Sequence, residues 1–221
     1  IALSATLNGG DGINDDLTNS SEIGLFSSEY FRDTDGTNNR GGYDFNLNYD
    51  KKFKNPKQKL TSFIRYSSGG SDGSSEYWTT PLPGFEEVVN ENRAKNGNEG
   101  EDSNFDLKTD YVHPFNNGDL LEIGFNSRLR TRDDSQLAYL FDGRESLFVN
   151  DSLFTNQFLY DENINAAYVQ YTTSLGIIGM TLGGRYENVS MNSELVNTQE
   201  KFESPYSSFF PCLLYTSPSP R

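Results

Sequence analysis

Apolar and polar residues alternate with a period of two in several separated stretches of this chain. Within residues 41–53, Tyr43, Phe45, Leu47 and Tyr49 fall on one side, and Asp44, Asn46, Asn48 and Asp50 on the other. Within 105–113, Phe105, Leu107, Thr109 and Tyr111 oppose Asp106, Lys108 and Asp110. Leu121, Ile123, Phe125 and Leu129 oppose Glu122, Asn126, Arg128 and Arg130, and Met180, Leu182 and Tyr186 oppose Thr181, Arg185 and Glu187. Successive side chains of an extended strand point to opposite faces, so each stretch predicts a strand with one apolar and one wet face. Segments 59–68 and 163–174 alternate less cleanly, and the opening Ala2–Leu7 only weakly, with Leu3, Ala5 and Leu7 together. No segment combines helical periodicity with helix caps.

The connections carry a second pattern. Residues 55–58, 115–119 and 174–177 are short and rich in Asn, Pro and Gly, which are turn-formers. Between them lie long polar segments, 69–104, 132–162 and 190–204, which read as loops. Residues 9–42 read as another such loop, holding a hairpin around Ile23–Phe31 of uncertain parity. Structureless loops beyond about 12–15 residues are uncommon in compact domains. Short turns at one end and long loops at the other predict an all-β, partial transmembrane antiparallel barrel. Strands 43–53, 105–113 and 163–174 then run inward, and 59–68, 120–131 and 178–189 outward. The competing fold is a secreted or surface-attached β-sandwich adhesin or binding module. Its strands alternate equally well, but its turns recur every 8–12 residues or so without systematic asymmetry.

Composition sharpens the choice. Only 34% of residues are hydrophobic, mean hydropathy is -0.68 and the formal net charge is -14. A disordered acidic chain would fit these values but should be poor in aromatics, whereas this one carries 13 Tyr, 16 Phe and one Trp. A lipid-facing strand needs only every second residue apolar, which reconciles low hydropathy with many rings. No run approaches the roughly 20 apolar residues of a membrane helix, which excludes helical spans and leaves barrels untouched. The acidic balance disfavours nucleic-acid binding, which needs a basic face. The chain begins at Ile1 in a strand-like pattern without Met or a signal peptide, and is expected to start inside a longer protein.

Three stretches carry a family resemblance. Residues 32–61, RDTDGTNNRGGYDFNLNYDKKFKNPKQKLT, resemble the barrel of Bacteroidetes-type TonB-dependent receptors. So do 161–189, with a Tyr-Val-x-Tyr strand, a short turn and a Gly-x-Arg-Tyr-Glu strand, and 200–211, EKFESPYSSFFP. The resemblance covers most of 33–211. It implies a barrel of about 22 strands plugged by a separate domain of the same parent chain. It also implies outer-membrane lipid as surroundings, a TonB-type energy-coupling protein as partner through regions absent here, and uptake of a nutrient ligand. On this reading 1–211 are about seven to eight barrel strands in an open, curved meander sheet with two unpaired edges, which should not close into a stable object alone. The last ten residues depart from the family. Cys212-Leu213-Leu214-Tyr215-Thr216-Ser217 is what TGT CTC TTA TAC ACA TCT, a library-preparation transposase end, encodes. Residues 212–221 are therefore expected to be a non-native, irregular tail.

Candidate chemistry is sparse. His113, the one histidine, stands before Pro114 at an inner strand end and has no partners for a triad or zinc site. Asp33-Thr34-Asp35-Gly36 imitates the start of a calcium loop, but 37–40 lack its further oxygens and closing Glu, so a tight polar turn is the favoured reading. The acidic run 86–102 reads as a solvated loop face. Cys212 cannot form an internal disulfide. Gly41-Gly42 and Gly183-Gly184 read as bends or close backbone approaches. Arg128, Arg130, Arg185 and Glu187 alternate away from the apolar face, as polar lumen wall or, in the functional reading, as a ligand path. Tyr77, Trp78, Tyr139 and Phe141 are candidate ligand anchors on outer loops. No nucleophile elbow, phosphate loop or metal-ligand spacing appears, so the expectation is a receptor-transporter wall rather than an enzyme, with no cofactor.

Overall fold

The computed structural model describes residues 2–22, 28–81 and 92–216. They form one antiparallel sheet: β1 (Ala2–Glu22), β2 (Ser28–Lys52), β3 (Lys59–Pro81), β4 (Asn92–Pro114), β5 (Leu120–Asp142), β6 (Leu147–Asn150), β7 (Asn156–Leu175), β8 (Ile178–Leu195), β9 (Glu200–Glu203) and β10 (Tyr206–Thr216). The order is β1-β2-β3-β4-β5-β7-β8-β10, with β6 beside β5 and β9 beside β8. Each main strand follows its neighbour as in a meander. β1 and β10 are edges that do not pair with each other, so the sheet is open, as expected. Among the described residues no second sheet covers either face, which removes the β-sandwich.

Register places the alternating rows in common. Leu3, Leu47, Ile64 and Leu107 form one cross-strand row, and His113, Leu121, Tyr171, Leu182 and Leu213 another. On the opposite face Asn46, Arg65, Asp106, Arg128, Ile164 and Val189 are aligned. The apolar face is the open one: Phe45 is 47% exposed, Ile123 43% and Leu182 58%. Its polar counterparts Asp44, Asn46, Glu122 and Arg185 are half-buried. An exposed apolar face opposite a crowded polar face is the inverse of a water-soluble sheet, and it suits lipid outside and a wet interior. Ala166 and Val189, on the polar face, are among the few buried hydrophobic side chains.

The three turns at the inner end are short, and two of them are internally tied. Gln58 N donates to Asn55 O at 3.0 Å and Lys57 N to Asn55 Oδ1 at 3.0 Å. In 115–119, Gly118 N donates to Phe115 O at 3.1 Å with Gly118 at φ 94°, a conformation that favours glycine. Asp119 is buried there. It accepts from Thr173 Oγ1 at 2.7 Å, from Asn117 Nδ2 at 2.6 Å and from the Tyr171 hydroxyl. These donors hold its carboxyl below the usual range, the Tyr171 hydroxyl most strongly, then Thr173.

The outer ends correct the sequence reading. Most of 69–104 is strand: β3 and β4 stay paired out to Thr79 and Asn92. Likewise β5 continues to Asp142, β7 begins at Asn156, β8 runs to Leu195, and β1 pairs with β2 throughout 8–22 and 28–42. Asp33–Gly36 is extended and paired on both sides, so it is neither a polar turn nor a calcium loop. The physical reason is that ladder hydrogen bonds are made by the backbone. They continue where both faces meet water and side-chain alternation carries no benefit. A 23-residue strand such as β4 reaches about 75 Å at roughly 3.3 Å per residue, while a tilted membrane strand needs only about 9–11 residues.

The tail is corrected as well. Cys212–Thr216 is not irregular but continues β10, pairing with Gly183–Gly179 of β8. Pro211 is accommodated because β10 is an edge strand. The other part of the tail, 217–221, lies outside the described residues, as do 23–27 of the expected hairpin and 86–91 of the acidic run.

Candidate functional site

The polar face holds a ladder of charge. Arg128 Nε lies 2.9 Å from Asp106 Oδ1, its cross-strand partner. Arg130 Nε stands 3.7 Å from Glu162 Oε1 on β7. Arg185 pairs with Glu187, two residues along β8, and Arg65 bridges to Asp44. The structure therefore brings Arg128, Arg130, Arg185 and Glu187 to one face, each already matched to an opposite charge. Tyr168 completes the wall. Its hydroxyl donates to Asp110 Oδ1 at 2.7 Å, with the ring lying across Gly124, where a Cβ would meet the ring and stand 2.7 Å from Asp110 Oδ1. Gly124 is thus required for close approach. The same holds at Gly42, whose Cβ would stand 2.8 Å from Ser68 O, and at Gly183, 3.0 Å from Val169 O.

Toward the outer end this face deepens into a cavity of about 1180 Å³. Its floor is backbone, from Gly41, Gly42, Gly69, Gly70 and Gly100 on three adjacent strands. Its rim carries Arg40, Arg130 and Arg132 beside Asp102 and Asp134, with Phe158 and Tyr160 along one wall. Side-chain-free positions in register make the hollow: Gly42 faces Gly69, and Gly69 faces Asp102, whose carboxylate folds over it. The Asp134 carboxylate beside Arg132 holds that guanidinium above its usual range. Burial pushes the Tyr160 phenol up, and its hydrogen bond to Glu162 Oε2, 3.0 Å, adds to the shift. Glu162 Oε1 is buried without a hydrogen bond, an acceptor left open beside Arg130. Such a surface can grip a polar ligand through guanidinium donors, carboxylate acceptors and two ring faces.

Arg40, Arg132, Asp134, Phe158 and Tyr160 were missed by sequence reasoning, and Asp102 was read only as the end of a solvated acidic loop. The signal existed: carrying the parity of Arg128 and Arg130 two and four residues further reaches Arg132 and Asp134. The assumption that a loop began at 132 stopped the count. The four aromatic candidates are strand residues, not loop residues, and all are half-buried. The Arg32 guanidinium lies 4.6 Å from the Tyr77 ring centroid. Trp78 pairs with Asp33 and Arg93 in the ladder. Phe141 packs on Phe148 at 5.4 Å, with Arg93 at 5.3 Å from both rings. Tyr139 stands on the other side of the sheet from the large cavity, in a hollow of about 400 Å³ with Lys95, Leu137 and Phe148. Ladder neighbours thus occupy these rings, and the structure does not bring the four together with the arginines into one pocket.

Comparison with known proteins gives a family and, among solved structures, distantly similar folds. The model of the outer membrane protein beta-barrel family matches residues 51–218. Among solved structures, the ferric citrate transporter FecA in the unliganded form aligns with 97% of this chain and 42% of its own, at 10% identity and TM-score 0.38. The ferric yersiniabactin uptake receptor FyuA from Yersinia pestis aligns with 95% of this chain and 39% of its own, at 8% identity and TM-score 0.26. The chain thus spans about two fifths of the length of either. No curated protein sequence matches.

Proposed function

The chain belongs to the outer membrane protein β-barrel family, and on that premise we propose that it builds part of the wall of a TonB-dependent receptor of Bacteroidetes type. It is located in the bacterial outer membrane. In this reading the apolar face of Phe45, Ile123 and Leu182 meets lipid, and the charged face lines a lumen filled by a plug from the same parent chain. A nutrient ligand enters from the outer end, meets the glycine-floored cavity with Arg130, Arg132 and Asp134 on its rim, and passes inward when a TonB-type protein moves the plug. The role is transport rather than catalysis. On this reading residues 1–211 are the barrel segment and 212–221 are foreign to it although Cys212–Thr216 extends β10, which the parent gene's nucleotide sequence checks.

The observation that carries this proposal is the inverted sheet: an exposed apolar face backed by a crowded face of Arg and carboxylates. A small closed barrel would pack its interior with side chains, whereas this face leaves a hollow of about 1180 Å³. A photo-crosslinking residue at Asn126 or Arg128 of the intact parent tests it. Attachment to a plug segment of the same polypeptide is expected. Attachment to lipid alone would reverse the assignment of faces and end the proposal.

A further inference from the structure

Five of the chain's eight lysines, Lys51, Lys52, Lys54, Lys57 and Lys59, fall within nine residues at the inner end of the β2–β3 hairpin. The chain as a whole carries -14. The other two inner turns, 115–119 and 175–178, contain no Lys or Arg. All five lysines are exposed. Lys59 is paired, 3.4 Å from Asp50. Among the described residues no carboxylate is within ion-pair distance of Lys51, Lys52, Lys54 or Lys57.

Their setting gives the cluster a partner. Lys51 continues the apolar row of Leu47 and Tyr49, and its Nζ stands 5.0 Å from the Phe53 ring centroid. From Phe53 a chain of rings runs along the inner rim: Tyr111 at 6.2 Å, His113 at 6.1 Å from Tyr111, Phe115 at 4.9 Å from His113, and Tyr171 at 6.1 Å from Phe115. Gln58 Nε2 and His113 Nδ1 hold the Tyr111 hydroxyl at 2.7 and 3.1 Å. Rings with an apolar body and a tethered polar tip mark the depth where acyl chains give way to headgroups. Ammonium groups just beyond that belt stand at the level of lipid phosphates.

We propose that the β2–β3 turn is a binding site for anionic phospholipid headgroups of the inner leaflet. Lys51, Lys54 and Lys57 supply the charge, and the Phe53–Tyr111 pair supplies the acyl-side wall, while Lys52, one residue along the strand from Lys51, falls on the polar face. The proposal rests on the reading above that the strands run inward to the short turns, which then face the periplasm. A phosphodiester with net negative charge fits unpaired ammonium groups at this depth, and a zwitterionic lipid fits them less well.

The test uses the intact parent protein reconstituted in phosphatidylcholine nanodiscs doped with spin-labelled phosphatidylglycerol or spin-labelled phosphatidylcholine. The parent should retain the anionic label about tenfold more strongly than the neutral one, and high salt should reduce the difference. K51Q/K54Q/K57Q should bring the two labels to near parity, while K51R/K54R/K57R, which keeps the charge, should restore the preference. A heat-modifiable band from both variants shows that they fold. Equal retention of both labels by the parent, or an undiminished preference in the Gln variant, overturns the site. A cysteine at Asn55 reports on topology separately. Labelling only after the outer membrane is permeabilised, with no lipid preference, sinks this inference alone. Labelling on intact cells sinks the orientation beneath it.

Discussion

The inner and outer halves of the same strands obey different rules. In β2 the inner half reads Tyr43, Asp44, Phe45, Asn46, Leu47, Asn48, while the outer half reads Arg32, Asp33, Thr34, Asp35, Gly36, Thr37, Asn38, with no apolar alternation. Yet both halves pair with β3 in one unbroken register, from Tyr30 opposite Pro81 to Lys52 opposite Lys59. The backbone sees no difference between the halves, because its hydrogen bonds are satisfied the same way in each. On the proposed reading the side chains differ because one half stands between lipid and lumen and the other between water and water. Alternation is therefore a record of solvent rather than of secondary structure. The lateral charge follows the same division, with unpaired lysines at the inner turn and carboxylates such as Glu99, Glu101, Asp102, Asp133 and Asp134 beyond the bilayer.

The largest expected effect contrasts two equally open positions. Phe125 is 41% exposed in the inner half and Val149 47% exposed in the outer half. Phe125→Arg should cost about 2–4 kcal/mol at a mid-membrane depth, whereas Val149→Arg should stay within about 0.5 kcal/mol. Folding equilibria of the intact parent in lipid vesicles measure both. Equal costs at the two sites would erase the division between halves. On the opposite face, Glu122→Lys should cost far less than Phe125→Arg, because that face is wet.

A smaller effect probes the close approach on the lumen face. Gly124→Ala drives a methyl into the Tyr168 ring and toward Asp110 Oδ1. It should displace the Tyr168–Asp110 hydrogen bond and cost about 1–3 kcal/mol by overpacking. Gly143, at an outer turn with open space around its Cβ position, should accept Ala with no measurable loss. If Gly124→Ala is as harmless, the ring does not lie across the strand as described.

The smallest effect is a pH dependence at the inner rim. The hydrogen bonds to Asp119 lower its folded pKa, led by that from Tyr171. Its stabilising contribution is then complete above the unfolded value of about 3.9 and is lost as pH falls through the lower folded value. The heat-modification midpoint of the parent should drop more steeply below about pH 4 than that of Asp119→Asn. Superimposable curves would remove Asp119 as the clasp of the turn.

The inner half was legible in the sequence because lipid writes a pattern that can be read residue by residue. Tyr43, Leu121 and Leu182 were placed on one face, and Arg128, Arg130, Arg185 and Glu187 on the other, from parity alone, and the register agrees. The outer half was not legible, since Gly69–Thr79 and Asn92–Asn104 are polar on both faces and look like loops. The cavity was hidden for the same reason, because it begins where alternation stops. Glycines at 42, 69 and 100 come into adjacent strands only through register, a long-range property that no local window contains. The rings at Tyr77 and Tyr139 illustrate the converse error: an aromatic in a polar segment suggested a free anchor, but a paired strand gave each one neighbours.

The proposed wall requires that one face of the inner half meet acyl chains and that this contact end partway along the strands. Single cysteines at each position of 121–129 and 133–141 in β5 of the intact parent, carrying a fluorophore and reconstituted with brominated-chain lipids, test it directly. Quenching should alternate through 121–129, strong at Leu121, Ile123, Phe125 and Leu129 and weak at Glu122, Asn126 and Arg128, and should vanish through 133–141. Uniform quenching, quenching on the Glu122–Arg128 face, or an alternation that continues unchanged to Phe141 would contradict it.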